Sequence, residues 1–381
     1  MKKIIGIIVL CLAGNIYAQQ RETVYSVIVE MHEVSWYKTQ MELWKAEIDK
    51  DNQNVEAWWN YYAASRGIKN VAYPDEELRS EYFYKCQEIA NEAIAAIPET
   101  FEGHYLKYWD TGLGDQKYDH LLKAHEINPN DSRAFADLMI YYEVQGMTEE
   151  MKDIAERIYE LNEMPASMLN WAYNLLSEVD ENSIIFSVGD NDTYALWLIQ
   201  QAKNYRTDVT VVNTSLIRLD SYRTMILTNL GLEDYKLEEN EENEESMTGL
   251  LNHFFKNTND HPVYVSASGI RQFQDSIWRE NLYLTGLGYK YSETSFDNAS
   301  VIRKNYEKVF LTDHLYQTFS HNVGDLSTRQ KYMYLPSLVK LYKLYKVSGE
   351  EQKMNTTLEL IIKIHKELDY ELDLENLNEG C

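Results

Sequence analysis

The sequence predicts an α plus α/β protein: an array of paired helices, a small parallel-sheet α/β domain, and a C-terminal helical hairpin. Apolar residues recur at helical spacing from residue 22 to about residue 180, and again from Asn305 to about Asp369. Between these regions, short apolar runs bounded by Gly, Asp or Pro alternate with a helical pattern, which is typical of βαβ units. With 44% apolar and 25% charged residues, the composition is that of a globular chain.

The first residues, MKKIIGIIVLCLAGNIYAQQ, have the layout of a secretory signal peptide. Lys2 and Lys3 precede the apolar stretch Ile4–Ala13, which is too short to span a bilayer, and Ala18 offers a small residue for cleavage. We therefore expect residues 1–18 to be removed, leaving a chain that is periplasmic or otherwise exported; an uncleaved anchor is the alternative. No later segment approaches 18 uninterrupted apolar residues, so we expect no membrane span in the mature chain.

Three cysteines are present. A lipid anchor on Cys11 is disfavoured because Leu10 stands where a lipobox has a small residue. Cys86 and Cys381 remain after cleavage, so one disulfide is possible, and the sequence leaves their pairing open. No Cys/His cluster has the spacing of a zinc site.

The chain is acidic, with 36 Lys+Arg against 61 Asp+Glu and a formal net charge of −25. Non-specific nucleic-acid binding needs a basic surface, and so does docking on anionic lipid. The charge therefore argues against both classes of partner.

Residues 19–180 are predicted to be helical repeats, and the clearest unit covers 120–162. There Asn128-Pro129 ends one helix and Gly146 makes the turn between the next two. This order resembles a tetratricopeptide repeat, whose period is about 34 residues. The spacings between Pro98, Pro129 and Pro165, 31 and 36 residues, bracket that period. The resemblance implies a concave surface for a protein or peptide partner; an irregular helical bundle is the alternative.

Residues 181–300 are predicted to form the α/β domain. Residues 184–188, 209–212 and 262–266 read as buried strands, and residues 194–205 as the helix between the first two. Residues 233–246 contain eight acidic side chains in fourteen and are predicted to be a solvated loop. Residues 301–381 are predicted to be a helical hairpin, turning at Ser348-Gly349, and a tail.

One motif could carry chemistry, the run Gly189-Asp190-Asn191-Asp192-Thr193 where a strand ends and a helix begins. Three interpretations stay open. The motif is a turn in which Asp192 or Thr193 caps the helix and Asp190 or Asn191 closes an Asx turn. It is a site for a polar small molecule or glycan, lined by Asp190, Asn191, Asp192, Thr193 and Asn213. Or Asp190 and Asp192 hold a divalent metal ion that bridges a nucleotide pyrophosphate.

The segment SIIFSVGDNDTYALWLIQQAKNYRTDVTVVNTSLI resembles part of the extracytoplasmic C-terminal module of bacterial membrane glycosyltransferases related to protein O-mannosyltransferases. The shared pattern falls on Gly189–Thr193, Leu196-Trp197, Gln200, Tyr205-Arg206, Asp208-Val209, Asn213, Ser215 and Leu216. With the similar segments 261–269 and 281–292, the likeness covers about residues 170–365. Tyr194-Ala195 and Arg218-Leu219 depart from the pattern. In that family the transferase acids are expected in a membrane half that has no counterpart here, so transferase activity is not carried over, and the resemblance implies a shared extracytoplasmic accessory module.

Two functions are consistent with these features. The first is an exported, non-enzymatic interaction or scaffold protein of the cell envelope, with no cofactor. The second is a glycan- or nucleotide-binding enzyme, or a glycosyltransferase-associated subunit, that uses the Asp190/Asp192 loop. The nine histidines form no HExxH pattern, and Ser266 and Ser268 lack a nucleophile elbow. An enzyme is therefore the less favoured class.

Overall fold

The computed structural model describes residues 20–27, 30–110, 115–162, 164–237, 243–257, 261–270, 278–317 and 330–368. The chain divides into two compact units, residues 1–130 and 131–381. The predicted signal peptide and Cys381 lie outside the described residues. The predicted domain boundaries at residues 180 and 300 stay predictions.

The first unit is a succession of helices joined by short turns. They are α1 (Val34–Lys50), α2 (Val55–Val71), α3 (Glu76–Ala96), α4 (Phe101–Asp110) and α5 (Asp115–Ile127). Polar caps fix two of the helix starts: the side chain of Asn54 accepts the N–H of Ala57, and that of Asp75 accepts the N–H of Leu78, each at 3.0 Å. Consecutive helices pack on one another, and α2 also packs on α4. The predicted array of helical pairs is confirmed.

Close approach of α1 and α2 depends on a small residue. Gly67 on α2 faces the buried ring of Tyr37 on α1, and a Cβ atom at this position would overlap that ring. Small residues at such contacts are what the sequence pattern of paired helices predicts. Helix α4 and the next unit's first helix begin 34 residues apart, at Phe101 and Phe135, which is the period of a tetratricopeptide repeat.

The second unit opens with three more helices, α6 (Phe135–Gln145), α7 (Thr148–Leu161) and α8 (Ala166–Glu178). Gly146 ends α6 with a φ of 67°, the left-handed conformation that glycine adopts without strain. The turn predicted at Gly146 is therefore present, and α6 packs on α7.

A five-stranded sheet forms the centre of the second unit. Its strands are β1 (Ile184–Ser187), β2 (Thr210–Asn213), β3 (Val263–Ser266), β4 (Leu282–Leu284) and β5 (Gly288–Tyr291). The strand order is β2-β1-β3-β5-β4. Strand β1 runs parallel to β2 and β3, whereas β5 is antiparallel to β3 and β4. The prediction of a parallel α/β sheet holds for the first three strands, and a C-terminal hairpin that was not predicted makes the sheet mixed.

Helices cover both faces of the sheet. Helix α9 (Gly189–Lys203) connects β1 to β2, and it packs on α7 and α8. Helices α10 (Asp220–Asn229) and α11 (Asn243–Asn257) connect β2 to β3. Leu227 of α10 and Phe254 of α11 share one apolar core with Phe186 of β1. The connection from β1 to β2 and the connection from β2 to β3 run in opposite directions across the sheet. Right-handed crossovers that run in opposite directions lie on opposite faces, so α9 lies on the face opposite to α10 and α11.

The chain ends with a second helical region. It comprises α12 (Asn298–Lys304), a π-helical turn (Asn305–Val309), α13 (Asp313–Tyr316), α14 (Leu335–Ser348) and α15 (Glu351–Glu367). Helices α14 and α15 form the predicted hairpin, and Gly349 makes its turn with a φ of 72°. Ile361 and Ile364 are buried in it, whereas Ile362 is exposed because it lies on the other side of α15.

The acidic segment 233–246 is not a loop throughout. Helix α11 begins inside it at Asn243, so its last four residues are helical. Acidic residues at a helix N-terminus interact favourably with the helix dipole, which explains this departure from the loop prediction. Within the described ranges, no helix is both long and apolar enough to cross a membrane.

Candidate functional site

The Gly189–Thr193 motif forms the first turn of α9, which begins two residues after the end of β1. Gly189 has a φ of 75°, which favours glycine, and nothing lies within 4 Å of the position that a Cβ atom would take there. The N-cap of α9 is Val188, and no side chain caps the helix. The interpretation of Asp192 or Thr193 as a helix cap is therefore wrong, since both side chains bond elsewhere.

Asp192 bonds across the sheet edge to the segment that follows β3. Its side chain is 6% exposed, and its Oδ2 atom accepts a hydrogen bond from the hydroxyl of Ser268. The Ser268 oxygen also lies 2.8 Å from that of Ser266, the last residue of β3. Burial raises the pKa of the Asp192 carboxyl to about 7. The site thus holds a carboxyl group that titrates near neutral pH.

Thr193 and Asn213 form a second polar cluster beside the first. The Thr193 hydroxyl lies 2.8 Å from the Ser187 hydroxyl and 2.8 Å from the carbonyl oxygen of Gly189, to which it donates. The side-chain amide of Asn213 donates to the same Thr193 oxygen at 2.8 Å. The Asn213 side-chain oxygen accepts the N–H of Ser215 at 2.8 Å. These bonds join the ends of β1 and β2.

Both clusters lie at the carboxyl ends of the parallel strands. Strand β1 is flanked by β2 and β3, and the two connections cross opposite faces of the sheet. The crevice between β1 and β3 is therefore a topological switch point, the place where ligands bind in open α/β sheets. Asp192 and Ser268 meet at this crevice.

The five predicted site residues differ in how deeply they are buried. It brings Asp192, Thr193 and Asn213 together, buried at the sheet edge. Asp190 is exposed on the turn and Asn191 is half-buried. Although Asp190 is exposed as a residue, neighbouring atoms partly desolvate its carboxyl, and together with the negative charge of Asp137 this raises the pKa of that group. A ligand-binding role for these five residues stays a prediction.

A metal site was assigned only to Asp190 and Asp192. The described part of the chain contains no group of three or more His, Cys, Asp or Glu side chains that could hold a metal ion. Because Asp192 is also engaged with Ser268, metal binding at this turn has no support in the geometry.

Sequence reasoning missed four further residues near this edge of the sheet. Ser266 and Ser268 were set aside because they lack an elbow motif, although a Ser-x-Ser pair directly after a strand is the signal that could have found them. Glu143 of α6 accepts a hydrogen bond from the Tyr222 hydroxyl at 3.1 Å, and burial raises the pKa of Glu143 to about 7. The buried Thr214 hydroxyl, one residue after β2, has no hydrogen-bond partner within the described residues.

The first unit carries an aromatic face on α2 and α4, formed by Trp59, Tyr62, Arg66, Tyr105 and Trp109. The rings of Trp59 and Trp109 lie 5.4 Å apart, and that of Tyr105 lies 4.8 Å from Trp109. The Arg66 guanidinium lies 4.0 Å from the centre of the Trp109 ring. Tyr62 and Tyr105 are buried in the core of the unit, so Trp59, Arg66 and Trp109, which are partly buried, are the part of this face that solvent reaches. Trp, Tyr and Arg are the residue types that dominate binding energy at protein interfaces.

One family model matches the chain, described as TMEM260-associated domain 2, over residues 168–228. This range includes all but the first two residues of α8, and it includes β1, the Gly189–Thr193 motif, α9 and β2. Two solved structures are similar to the chain: the human IFIT1 dimer with m7Gppp-AAAA, and a monomeric mutant of IFIT1 with m7Gppp-AAAA. Each is 13% identical to this chain, the match covers 87% of this chain and 68% of the IFIT1 chain, and the TM-score is 0.28. No curated protein matches.

Proposed function

We propose that the protein is an exported, non-enzymatic binding protein of the periplasm or cell envelope that holds a partner protein or peptide through its helical unit. The aromatic face is the observation that carries the proposal. Its members stack on one another across α2 and α4, so the surface is held in shape before a partner arrives. Rigid aromatic groups lose little entropy on binding, which favours their use as anchors.

Charge supports the same reading. The net charge of −25 makes an acidic partner or nucleic acid a poor fit, whereas a neutral or basic peptide fits an acidic protein with an arginine–tryptophan contact. The matched family segment lies in the second unit, which leaves the helical unit as the part proposed to select the partner.

The test uses the purified mature chain as bait in envelope extract, with quantitative mass spectrometry of what it captures. We expect Trp109→Ala and Arg66→Glu to reduce capture of the partner by about tenfold or more, since hot-spot residues contribute at least about 2 kcal/mol. Tyr73→Ala is the matched control, because Tyr73 is an exposed aromatic residue of the same unit outside the face. Equal capture by all three folded variants would refute the proposal.

Export is part of the proposal, supported by Lys2, Lys3 and the apolar stretch Ile4–Ala13. The intact mass of the chain recovered from each cell fraction tests it. We expect a chain that begins near Gln19 in the periplasmic fraction. A chain beginning at Met1 in the cytosolic fraction would contradict export.

A second candidate function is favoured by the Asp192–Ser268 contact. A buried carboxyl at the switch point, and the Thr214 hydroxyl after the neighbouring strand β2, which has no partner among the described residues, suit a ligand rich in hydrogen-bonding groups, such as a glycan. Calorimetric titration with oligosaccharides, and with nucleotides plus a divalent ion, tests this function. We expect Asp192→Asn to abolish the heat of binding and Asp153→Asn, an exposed control on α7, to leave it unchanged. No heat with wild-type protein would remove this candidate.

A further inference from the structure

An extended N-terminal segment lies along the first two helices and is held by its main chain. The Gln40 side chain of α1 makes two contacts: its amide donates to the carbonyl oxygen of Gln20 at 3.2 Å, and its oxygen accepts the N–H of Glu22 at 3.0 Å. The indole of Trp44 donates to the carbonyl oxygen of Glu22 at 3.0 Å. All three bonds involve main-chain atoms of the segment and none of its side chains, so α1 can bind an extended backbone of any sequence in this way.

Asn60 on α2 makes a further main-chain contact, two residues after those at Glu22. The N–H of Val24 donates to the side-chain oxygen of Asn60 on α2 at 2.8 Å. The Asn60 amide in turn donates to the carbonyl oxygen of Glu56 at 2.8 Å, which fixes its orientation. The contacted positions of the segment are 20, 22 and 24, which share one face of an extended chain. We call residues 20–24 the strap.

The side chains that hold the strap are buried polar groups. Gln40 is 2% exposed and Asn60 is 1% exposed. The strap covers both side chains, and its main-chain groups take the place of the water molecules that would otherwise bond to them. The groove between α1 and α2 is therefore built to receive a main chain.

Two strap side chains add specificity. Arg21 pairs with Glu47 at 2.8 Å, and its guanidinium lies 5.4 Å from the centre of the Trp44 ring. Val24 is buried in the apolar core of the first unit. Beside the strap lies a cavity of about 290 Å³, lined by Gln20, Glu22, Ser35, Trp36, Thr39 and Gln40, so the strap does not fill the groove completely. A ligand for this groove needs a basic residue and, three positions later, a small apolar one.

We propose that the α1–α2 groove is a docking site for an extended peptide of a partner protein, and that the strap occupies it in cis until the partner displaces it. This inference rests on the proposed function and gives the partner a second contact, separate from the aromatic face. The partner segment carries Arg or Lys at the position of Arg21 and Val or Ile at that of Val24. Because the strap is tethered to the groove, its effective concentration there is about millimolar. A partner segment displaces the strap only if it binds the groove more tightly or is present at a high concentration.

The test uses the full mature chain with the strap weakened but the groove intact. Val24→Asp places a charge in the apolar core position, and Arg21→Glu turns the ion pair with Glu47 into a repulsion. The probe is a fluorescent peptide with the sequence Gln-Arg-Glu-Thr-Val-Tyr of residues 20–25, measured by anisotropy. We expect either variant to bind the probe at least about tenfold more tightly than the wild-type chain, in which the strap competes.

Controls separate the groove from non-specific binding. A probe with Asp in place of its Val should not bind, and adding Gln40→Ala to the Arg21→Glu chain should abolish binding, whereas adding Glu42→Ala on an exposed position of α1 should not change it. Folded Arg21→Glu and Val24→Asp chains that bind no probe would overturn the inference. So would dimers of these chains that exchange straps, because the occupant would then be a second copy.

The two proposals fail separately. If Trp109→Ala abolishes partner capture while no strap variant binds the probe, the groove inference is wrong and the proposed function stands. If the probe binds as expected and no partner capture depends on the aromatic face, the groove stands and the aromatic face is not the interface.

Discussion

The carboxylate of Glu178, at the end of α8, accepts the main-chain N–H of Gly288 at 2.6 Å and that of Leu287 at 2.8 Å. The hydroxyl of Thr285 also donates to it, at 3.3 Å. A Cβ atom at Gly286 would collide with this carboxylate. The contact ties the helix to the turn between β4 and β5, the two strands that the sequence did not predict.

Glu178→Leu should therefore destabilise the second unit. The substitution leaves the N–H groups of Leu287 and Gly288 without their acceptor, at a cost of about 1–3 kcal/mol each, while the Thr285 hydroxyl keeps the carbonyl oxygen of Gly288, 3.0 Å away. Glu178→Gln keeps one acceptor oxygen and should cost less. Urea unfolding measures both, with Glu181→Gln on an exposed position as the control. Equal stability of Glu178→Leu and wild type would show that the contact does not hold the turn.

Stability should fall as the pH rises from about 6.5 to 8. Burial raises the pKa of Glu178 to about 8, and that of Asp192 and Glu143 to about 7. A raised carboxyl pKa means that the folded protein binds the proton more tightly than the unfolded protein does. Protonation therefore stabilises the fold fully at pH values below the carboxyl pKa of the unfolded protein. This stabilisation is lost as the pH rises through the pKa of the folded protein.

The pH window is chosen to exclude the histidines. Burial lowers the pKa of His314 to about 4, and it also lowers those of His104 and His120. The lowered histidine pKa values make stability rise with pH, but only below about 6.5, the pKa of histidine in the unfolded protein. The urea midpoint should fall across the window in wild type and fall less in the double variant Glu178→Gln/Asp192→Asn. A urea midpoint that rises between pH 6.5 and pH 8 would contradict the raised pKa values of these carboxyl groups.

Much of the α/β core could be predicted from local pattern. Strands β1, β2 and β3 are short apolar runs next to Gly, Asp or Pro, and such runs are buried strands in parallel sheets. Strand β4 is only three residues long, and the turn after it is rich in glycine, so neither pattern nor length marks it. Its position depends on Glu178, more than 100 residues earlier in the chain.

The site was only partly predictable for a similar reason. Glycine followed by acidic and amide residues after a strand indicates a turn at a sheet edge, which Gly189 forms. The partner of Asp192 is Ser268, 76 residues away, and only the strand order brings them together. The strap was missed because residues 20–24 have no periodicity: their structure comes from Gln40, Trp44 and Asn60 on other elements.

Thr193→Val should weaken the join between β1 and β2. Valine has the same shape, but it removes the hydroxyl that lies 2.8 Å from both the Ser187 oxygen and the Asn213 amide. The two buried partners lose a hydrogen bond, and we expect a loss of about 1–3 kcal/mol in the free energy of unfolding. Thr224→Val, at an exposed position of α10, is the matched control and should change stability little. If both variants unfold at the same urea concentration, the cluster contributes nothing to stability.

Cys86 should resist alkylation in the folded protein. Its thiol is 4% exposed and lies 3.4 Å from the Ser65 hydroxyl, and burial raises its pKa, so little reactive thiolate forms. In a Cys381→Ser chain, labelling with iodoacetamide at pH 8 should be at least about a hundredfold slower than in urea, because it requires local opening. A chain with Ser80→Cys and Cys86→Ser, which moves the thiol to an exposed position of the same helix, should label quickly under both conditions. Equal native labelling rates at the two positions would show that α3 opens readily and that the packing of Cys86 against α2 is not a stable part of the fold.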